Sequence, residues 1–347
     1  MGTTEARKND SRNRGAKEIF MNGAANIRIH PSQFPDKVRH DLLTSLRTRK
    51  VNHKFHYDSI KQTQKWLALH EAHSPARYDN DCLATYGRAF AALASMVTAK
   101  SVHVIGLGCG GGQKDVQLLE QLQGNNKKLF YTASDVSVAM VLVARQAALD
   151  LVSADKCFAL VCDLAAAGEL QEDLAASAPP HTKRVVTFFG MIPNFEPRQI
   201  LPKLTALVRP SDHLLLSANL APGQDYAGGV AKILPQYNNP LTRDWLLALL
   251  YDLGVEAGDG ELRFSVETAE QGLQRIVAQF HFHRTRQIRV DRREFCFKRN
   301  ESIRLFFSYR YTPARVRQWL GRHGLTVTDE WITTSGEEGI FLCQQAS

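Results

Sequence analysis

Through the middle of this chain of 347 residues, segments with the apolar pattern of a strand alternate with segments with that of a helix. Short apolar runs predict five strands, over residues 102–107, 129–134, 158–162, 184–189 and 213–218. Helical spacing predicts helices between them, over residues 113–122 and 137–149. A further helix begins at Thr312 and Pro313, and strands over residues 326–333 and 339–344 follow it. Since strands that alternate with helices are typical of parallel βαβ units, the pattern predicts an α/β, Rossmann-like sheet.

The spacing changes on both sides of this block. Helical patterns occupy residues 35–46, 59–69, 79–96 and 241–253. Alternating apolar and polar residues predict half-exposed antiparallel strands over residues 261–266, 275–284 and 295–311. Residues 1–25 are rich in Arg, Asn, Asp, Lys and Gly, so we expect a disordered basic tail there. Residues 26–80 with 222–311 are predicted to form an inserted α+β substrate-binding lobe, and residues 81–221 with 312–347 the Rossmann-like domain.

The loop after the first of these five strands is rich in glycine. Residues 102–114 read VHVIGLGCGGGQK, and the next strand ends in Asp135. Glycines let a backbone approach a ligand closely, and an acid at the end of the following strand is placed to bind the hydroxyls of a ribose. The string GLGCGG formally fits the dinucleotide pattern GxGxxG, so NAD and S-adenosylmethionine both remain possible. We favour S-adenosylmethionine because a long segment precedes the loop, whereas a nicotinamide-binding domain usually begins with it.

Composition and charge exclude several classes of protein. The chain has no run of eighteen apolar residues, and residues 1–18 lack the apolar segment of a secretory signal. The six cysteines are scattered without metal-ligand spacing, so we expect reduced thiols, no bound metal and a cytoplasmic location. The formal net charge of +8 is concentrated in residues 1–54 and 284–310. RNA could bind such segments, but aromatic residues are not interleaved with the basic residues of the tail, so nucleic acid is not the expected partner.

Short motifs spread over residues 56–312 carry a family resemblance. They read HYDS (56–59), SPAR (74–77), GLGCGGGQK (106–114), SDVS (134–137), CDL (162–164), FFGMIPNFEP (188–197), QYNN (236–239) and SYRYT (308–312). In this order they resemble the histidine α-N-methyltransferase of ergothioneine biosynthesis and its relatives. The resemblance implies a class I methyltransferase sheet, S-adenosylmethionine as cofactor, a small amino-acid-like acceptor and a role in secondary-metabolite biosynthesis.

The resemblance also implies which residues bind the cofactor. Asp135 would contact the ribose, and Asp163 would lie next to the adenine. The other residues that we assign to the cofactor are two glycines of the loop, a lysine that follows it and a glycine after a later strand: Gly108, Gly110, Lys114 and Gly190.

On the acceptor side, the resemblance implies a clamp for an amino acid. Asn194 would hold its amino and carboxylate groups, and Tyr57 and Tyr237 would complete the clamp as the catalytic set. Ser308 would lie near the side chain of the acceptor. The expected chemistry is direct displacement at the sulfonium methyl group by a neutral amine.

Several positions depart from the family pattern. Gly106 replaces an acid, His73 a tyrosine and Ala278 a methionine, and the loop before Asn194 is one residue shorter. Histidine-specific members read the imidazole with a glutamate, where this chain has Phe306. A buried imidazole N–H left without an acceptor costs about 1–3 kcal/mol. We therefore expect an aromatic or apolar amino acid rather than histidine, in a pocket that includes His73, Ala278 and Phe306.

Three alternatives stay open. The acceptor is histidine after all, in which case another residue reads the ring. The protein methylates nucleic acid, which only the basic segments favour, since PNFE does not replace the NPPF-type motif of adenine N6 enzymes. Finally, it is a relative that binds S-adenosylmethionine without catalysis, a reading to which Gly106 and the short loop give some weight.

Overall fold

The computed structural model describes residues 25–124, 126–168, 170–175 and 177–346. The basic tail predicted over residues 1–25 lies outside these ranges apart from Ala25. The helices are α1 (Pro35–Thr48), α2 (Ile60–His73), α3 (Pro75–Tyr78), α4 (Asn80–Met96), α5 (Gln113–Gln123), α6 (Val138–Ala148), α7 (Leu170–Ala175), α8 (Pro197–Leu207), α9 (Tyr226–Tyr237), α10 (Pro240–Asp252) and α11 (Pro313–Arg322). The strands are β1 (Ile27–Ile29), β2 (Ser101–Leu107), β3 (Lys128–Asp135), β4 (Cys157–Val161), β5 (Lys183–Phe188), β6 (His213–Asn219), β7 (Gly260–Thr268), β8 (Gln274–Phe282), β9 (Arg286–Val290), β10 (Arg293–Phe297), β11 (Ser302–Arg310), β12 (Leu325–Ile332) and β13 (Glu338–Gln345).

Eight strands form the large sheet, in the order β1-β4-β3-β2-β5-β6-β13-β12. The first six are parallel to their neighbours, whereas β13 is antiparallel to β6 and β12 is antiparallel to β13. The helix predicted after residue 312 is α11, and the side chain of Thr312 caps it by accepting a hydrogen bond from Arg315 N. The predicted Rossmann-like α/β fold of a class I methyltransferase is therefore confirmed.

Helices cover both faces of this sheet. On one face, α4, α5 and α6 bury Phe90, Leu119 and Val141 against alternate residues of β2, such as Val104. On the other face, α8 and α11 pack on the intervening residues, such as Ile105. Burial on both sides explains why the strands read as nearly continuous apolar runs in the sequence.

The second sheet has three antiparallel strands in the order β11-β8-β7, and β9 and β10 form a separate hairpin. The single strand predicted over residues 295–311 is wrong, because a polar turn at Lys298–Glu301 divides β10 from β11. Asn300 in this turn has a φ of 70°, a conformation that asparagine tolerates better than most residues. The turn therefore lets the chain reverse and start the strand that borders the site.

Two segments that are far apart in the sequence, one before β2 and one after β6, share one apolar core. Leu46 of α1 and Phe55 pack together with Trp245 of α10 and with Phe280 and Phe306 of the second sheet. Residues 26–80 and 222–311, which we predicted as one lobe, thus meet in this cluster. The division of the whole chain into domains stays a prediction.

The strand β1 was not predicted, and it belongs to the large sheet although residues 26–80 were expected in the other lobe. Its three residues pair in parallel with β4 at the edge of the sheet. The segment after it then reaches Asp163, whose backbone N–H donates to Ser32 Oγ at 3.0 Å. Residues 27–32 thereby contact the carboxyl end of β4.

No helix in the described ranges is long and apolar enough to cross a membrane.

Candidate functional site

A cavity of about 560 Å³ lies at the carboxyl ends of the central parallel strands. The glycine loop after β2, Asp135 at the end of β3 and Asp163 after β4 line one side of it. The opposite side comes from the segment before α2 and from β11, through Tyr57 and Phe307 among others. Ligands of open α/β sheets bind at this edge, so the cavity is the candidate active site.

The glycine loop packs tightly between the cavity and α6. Gly112 has a φ of +78°, and a Cβ on it would lie 2.8 Å from the Cα of Ala144. Only glycine fits this position without moving the backbone of the helix. Gly110 N donates to Asp135 Oδ2 at 3.1 Å, so the loop and the acid predicted to bind ribose hold each other in place.

Asp135 is buried at the mouth of the loop. Its second carboxylate oxygen accepts a hydrogen bond from Ser137 N at 3.0 Å. Burial raises the pKa of Asp135 to about 6, whereas its hydrogen bonds from Ser137 N and Gly110 N lower it. This carboxylate is therefore fixed in direction and faces the cavity, which fits the ribose contact that the sequence predicts.

Asp163 has one occupied and one open carboxylate oxygen. Oδ1 accepts hydrogen bonds from Ala165 N at 3.0 Å and Ala166 N at 3.3 Å. Oδ2 is buried with no hydrogen-bond partner among the described residues, and Lys54 Nζ lies 3.7 Å from it. A buried acceptor that lines the cavity suits the amino group of an adenine. The residues present thus fit S-adenosylmethionine.

Two other residues assigned to the cofactor also line the cavity. Lys114 Nζ donates to Tyr86 Oη at 2.6 Å and lies 3.4 Å from Glu338 Oε1, so its charge is already paired. Gly190 has a φ of 67° and donates its N–H to Ser217 Oγ at 2.9 Å. A Cβ on Gly190 would meet no other described residue, so the glycine leaves this part of the cavity open.

Three residues assigned to the acceptor line the same cavity: Tyr57, His73 and Asn194. Asn194 Nδ2 donates to the carbonyl oxygen of Phe307 on β11 at 3.0 Å, which joins the loop after β5 to the second sheet. Burial and the nearby carboxylate of Asp135 raise the pKa of the Tyr57 hydroxyl. Tyr57 is therefore neutral at physiological pH, and its hydroxyl can both donate and accept a hydrogen bond.

The other four residues assigned to the acceptor, Tyr237, Ala278, Phe306 and Ser308, are not among those that line the cavity. Tyr237 Oη donates to Ser308 Oγ at 2.9 Å, and Ala278 is fully buried opposite Phe306. The ring of Phe306 packs 5.1 Å from that of His53, which does line the cavity. The ring of His53, rather than that of Phe306, thus lines the cavity at this place.

An irregularity in β11 explains this placement. The pairing of β11 with β8 shifts register between Arg304 and Phe306, as at a β-bulge. The extra residue moves Arg304 and Phe307 to the cavity side and leaves Phe306 in the apolar core. Strict alternation read from the sequence cannot detect such a shift.

Two polar residues on the side of the cavity opposite the glycine loop, His53 and Arg304, were not predicted from the sequence. Neither ring nitrogen of His53 has a hydrogen-bond partner among the described residues, and burial lowers its pKa well below the usual value. The guanidinium of Arg304 lies 5.0 Å from the centre of the Phe307 ring and pairs with no carboxylate of the described chain. Its pKa is lowered by burial and by the neighbouring Arg275. A single arginine within the apolar run SIRLFF was the available signal.

A family model matches most of the chain. The family model described as histidine-specific methyltransferase, SAM-dependent, matches residues 38–345. A comparison with curated proteins gives no match. Among solved structures, an S-adenosylmethionine-dependent methyltransferase from Clostridium acetobutylicum is similar at 12% identity, over 82% of this chain and 99% of its own, with a TM-score of 0.42.

Two further solved structures are similar at the same level. Magnesium protoporphyrin IX methyltransferase from Synechocystis, with bound S-adenosylhomocysteine, shares 12% identity over 85% of this chain and 98% of its own, with a TM-score of 0.43. A possible exported protein from Bordetella parapertussis shares 11% identity over 89% and 87%, with a TM-score of 0.47.

Proposed function

Because the chain belongs to the family of SAM-dependent, histidine-specific methyltransferases, we propose that it methylates the α-amino group of an amino acid or a close derivative. The protein is an S-adenosylmethionine-dependent methyltransferase, and the proposal concerns its acceptor. One observation carries it. A single cavity joins the glycine loop, Asp135 and Asp163 to an opposite wall that contains Asn194 and Arg304.

Arg304 supports an acceptor that bears a carboxylate. Three lysine or arginine side chains line the cavity, and two of them are paired, Lys54 with Asp41 and Lys114 with Glu338. Arg304 is the third, and its guanidinium has donors to spare. A planar guanidinium matches a carboxylate through two parallel hydrogen bonds, so the α-carboxylate of an amino acid fits there.

Asn194 supports an acceptor with an amino group nearby. Its Nδ2 is engaged by the carbonyl oxygen of Phe307, and its Oδ1 remains as an acceptor for an N–H. An amide oxygen holds a neutral amine without retaining a proton on it, as nucleophilic attack requires. Tyr57 adds a neutral hydroxyl to the same cavity.

The chemistry is a displacement at carbon. When bound, S-adenosylmethionine supplies a methyl group on a sulfonium, and the C–S bond breaks as the N–C bond forms. The residues of the chain would align the amine lone pair with that bond, at the separation of about 3–3.5 Å that such an attack requires. The amine gives up its proton to water, because burial keeps the pKa of His53 too low for it to act as a strong base.

The side chain of the acceptor would lie against aromatic residues. Phe307 and Trp66 line the cavity together with His53, whose uncharged ring packs edge-on to Phe307 at 4.5 Å. This surface supports an aromatic or apolar side chain, and we propose that histidine is not the preferred acceptor. The alternative is a histidine α-N-methyltransferase, which the description of the family favours. In that case Glu196, which lines the cavity while bonded to Arg275 and Tyr309, is the carboxylate available to read the imidazole.

A panel of acceptors tests the proposal. Methyl transfer from labelled S-adenosylmethionine would be measured for histidine, tryptophan, tyrosine, their α-amides and a pool of RNA. We expect transfer to free amino acids and loss of transfer to the amides. Transfer to RNA alone would refute the proposal, and a preference for histidine that Glu196→Gln removes would establish the alternative.

A further inference from the structure

The cavity contains a buried carboxylate that none of the roles above uses. Asp115 lies in the first turn of α5, is 3% exposed and lines the cavity. Its Oδ2 accepts a hydrogen bond from Tyr131 Oη at 2.8 Å, and its Oδ1 accepts one from Thr187 Oγ1 at 2.6 Å. Both donors are neutral hydroxyls, and no cation of the described chain forms an ion pair with this carboxylate.

Gly106 makes room for this carboxylate at the end of β2. A Cβ on Gly106 would overlap with Asp115 Oδ2 and lie 3.1 Å from its Cγ. Any other residue at position 106 would therefore displace Asp115 from the base of the glycine loop. The acid that this chain lacks at position 106 is replaced in space by a carboxylate that comes from the following helix.

We propose that Asp115 binds the α-ammonium group of S-adenosylmethionine. Asp135 and Asp163 fit the ribose and the adenine, which leaves the methionine end, whose ammonium needs an anion. Two other carboxylates line the cavity, but each already has a cation: Glu196 is paired with Arg275 and Glu338 with Lys114.

The surroundings of Asp115 agree with this assignment. Burial raises its pKa to about 6, so the carboxylate is held in an environment that disfavours its charge. A ligand ammonium would compensate that charge without displacing either hydroxyl, because each carboxylate oxygen can accept a second hydrogen bond. The two hydroxyls, fixed on β3 and β5, orient the carboxylate before the ligand arrives.

The test compares ligands that contain or lack the ammonium. Calorimetry would measure S-adenosylhomocysteine, its analogue with hydrogen in place of the ammonium, and 5′-methylthioadenosine, which lacks the whole amino-acid end. The variant Asp115→Asn keeps the shape of the side chain, and the two hydroxyls can rotate to serve the amide. We expect it to weaken S-adenosylhomocysteine about 10- to 100-fold and to leave 5′-methylthioadenosine unchanged, because only a hydrogen bond between charged groups is lost.

A matched control is Asp135→Asn, which should weaken both ligands because both contain the ribose. In the wild type, removing the ammonium from the ligand should lower its affinity as much as Asp115→Asn lowers the affinity for S-adenosylhomocysteine. In the variant, removing the ammonium should not lower the affinity further. This wild-type comparison stands even if the variant folds poorly: equal binding of the two homocysteine ligands by the wild type would overturn the proposal. Equal weakening of all ligands by Asp115→Asn in a folded protein would overturn it too. The double variant Gly106→Asp, Asp115→Gly should regain affinity for S-adenosylhomocysteine.

Discussion

Replacing Arg304 by glutamine should separate activity from stability. In the wild type, the guanidinium is half-buried beside Phe307 and Arg275 and has no carboxylate partner among the described residues. Its positive charge therefore contributes little to folding. If the charge binds the α-carboxylate of the acceptor, its removal should act almost entirely on catalysis.

The magnitudes follow from this geometry. Two opposite charges about 4 Å apart at an effective dielectric constant near 20 attract by about 4 kcal/mol, and solvent in the open cavity reduces this value. A loss of about 2–4 kcal/mol corresponds to a fall of roughly 30- to 1000-fold in kcat/KM. For folding, a cation–π contact worth about 0.5–1 kcal/mol is lost, while an unfavourable buried charge is relieved. The midpoint of thermal unfolding should therefore change by no more than about 2 °C.

The assay combines acceptor kinetics with thermal unfolding of the same preparations. Arg299→Gln, which removes an exposed arginine from the turn before β11, is the matched control and should change neither quantity. In the wild type, replacing the free acid by its α-amide should lower kcat/KM as much as Arg304→Gln lowers it for the free acid. In the variant, the amide should have the same kcat/KM as in the wild type. Unchanged kinetics with the free acid, or a fall of many degrees in the unfolding midpoint, would refute the role given to Arg304.

Three further predictions concern the loop, the core and pH. Gly112→Ala should destabilise the fold by about 2–4 kcal/mol in chemical denaturation, because Gly112 has a positive φ and the new Cβ would lie 2.8 Å from the Cα of Ala144. The control Gly168→Ala, whose Cβ would meet no described atom within 4 Å, should have little effect. Phe306→Glu should lower stability by about 3 kcal/mol or more, since the carboxylate would be buried unpaired in the apolar core; a stable variant that gains histidine methylation would contradict this placement. Affinity for S-adenosylhomocysteine should weaken as pH falls through about 6, because Asp135 and Asp115 then bind protons in the free protein. They no longer act as carboxylates toward the ribose hydroxyls and the ligand ammonium, and a flat calorimetric profile from pH 7 to pH 5 would refute this.

Local signals in the sequence were sufficient to predict the glycine loop and the acid that line one side of the cavity. The apolar run of β2, the glycines after it and Asp135 lie close together in the chain, so periodicity and residue type define them without knowledge of the rest of the fold. The helix α9 was missed because Gly228, Gly229 and Pro235 within it are poor helix formers, and tertiary packing of Val230 and Ile233 stabilises it instead.

The opposite side of the cavity, formed by β11 among others, depends on information that is not local. The shift in register between Arg304 and Phe306 decides which residues of β11 face the cavity, and it arises from pairing with β8. Asp115 was overlooked because it reads as an ordinary acid in the first turn of a helix, a position that many helices prefer. Only its contact with Gly106, where a Cβ would overlap with its carboxylate, distinguishes it from such an acid.

The pairing of β1 with β4 bears on the order in which the site forms during synthesis. The hydrogen bond between Ser32 and Asp163 can form only after the 131 residues that follow Ser32, up to Asp163 itself, have been made. Glu338, which also lines the cavity, comes later still in the chain. Closing such long loops costs entropy before any contact rewards it, so these contacts should form late. A nascent chain can bury the sheet around β2 and β3 well before it can enclose an adenine. Binding of the cofactor would then report on completion of the whole chain, and ligand added during refolding should act on the last step rather than the first.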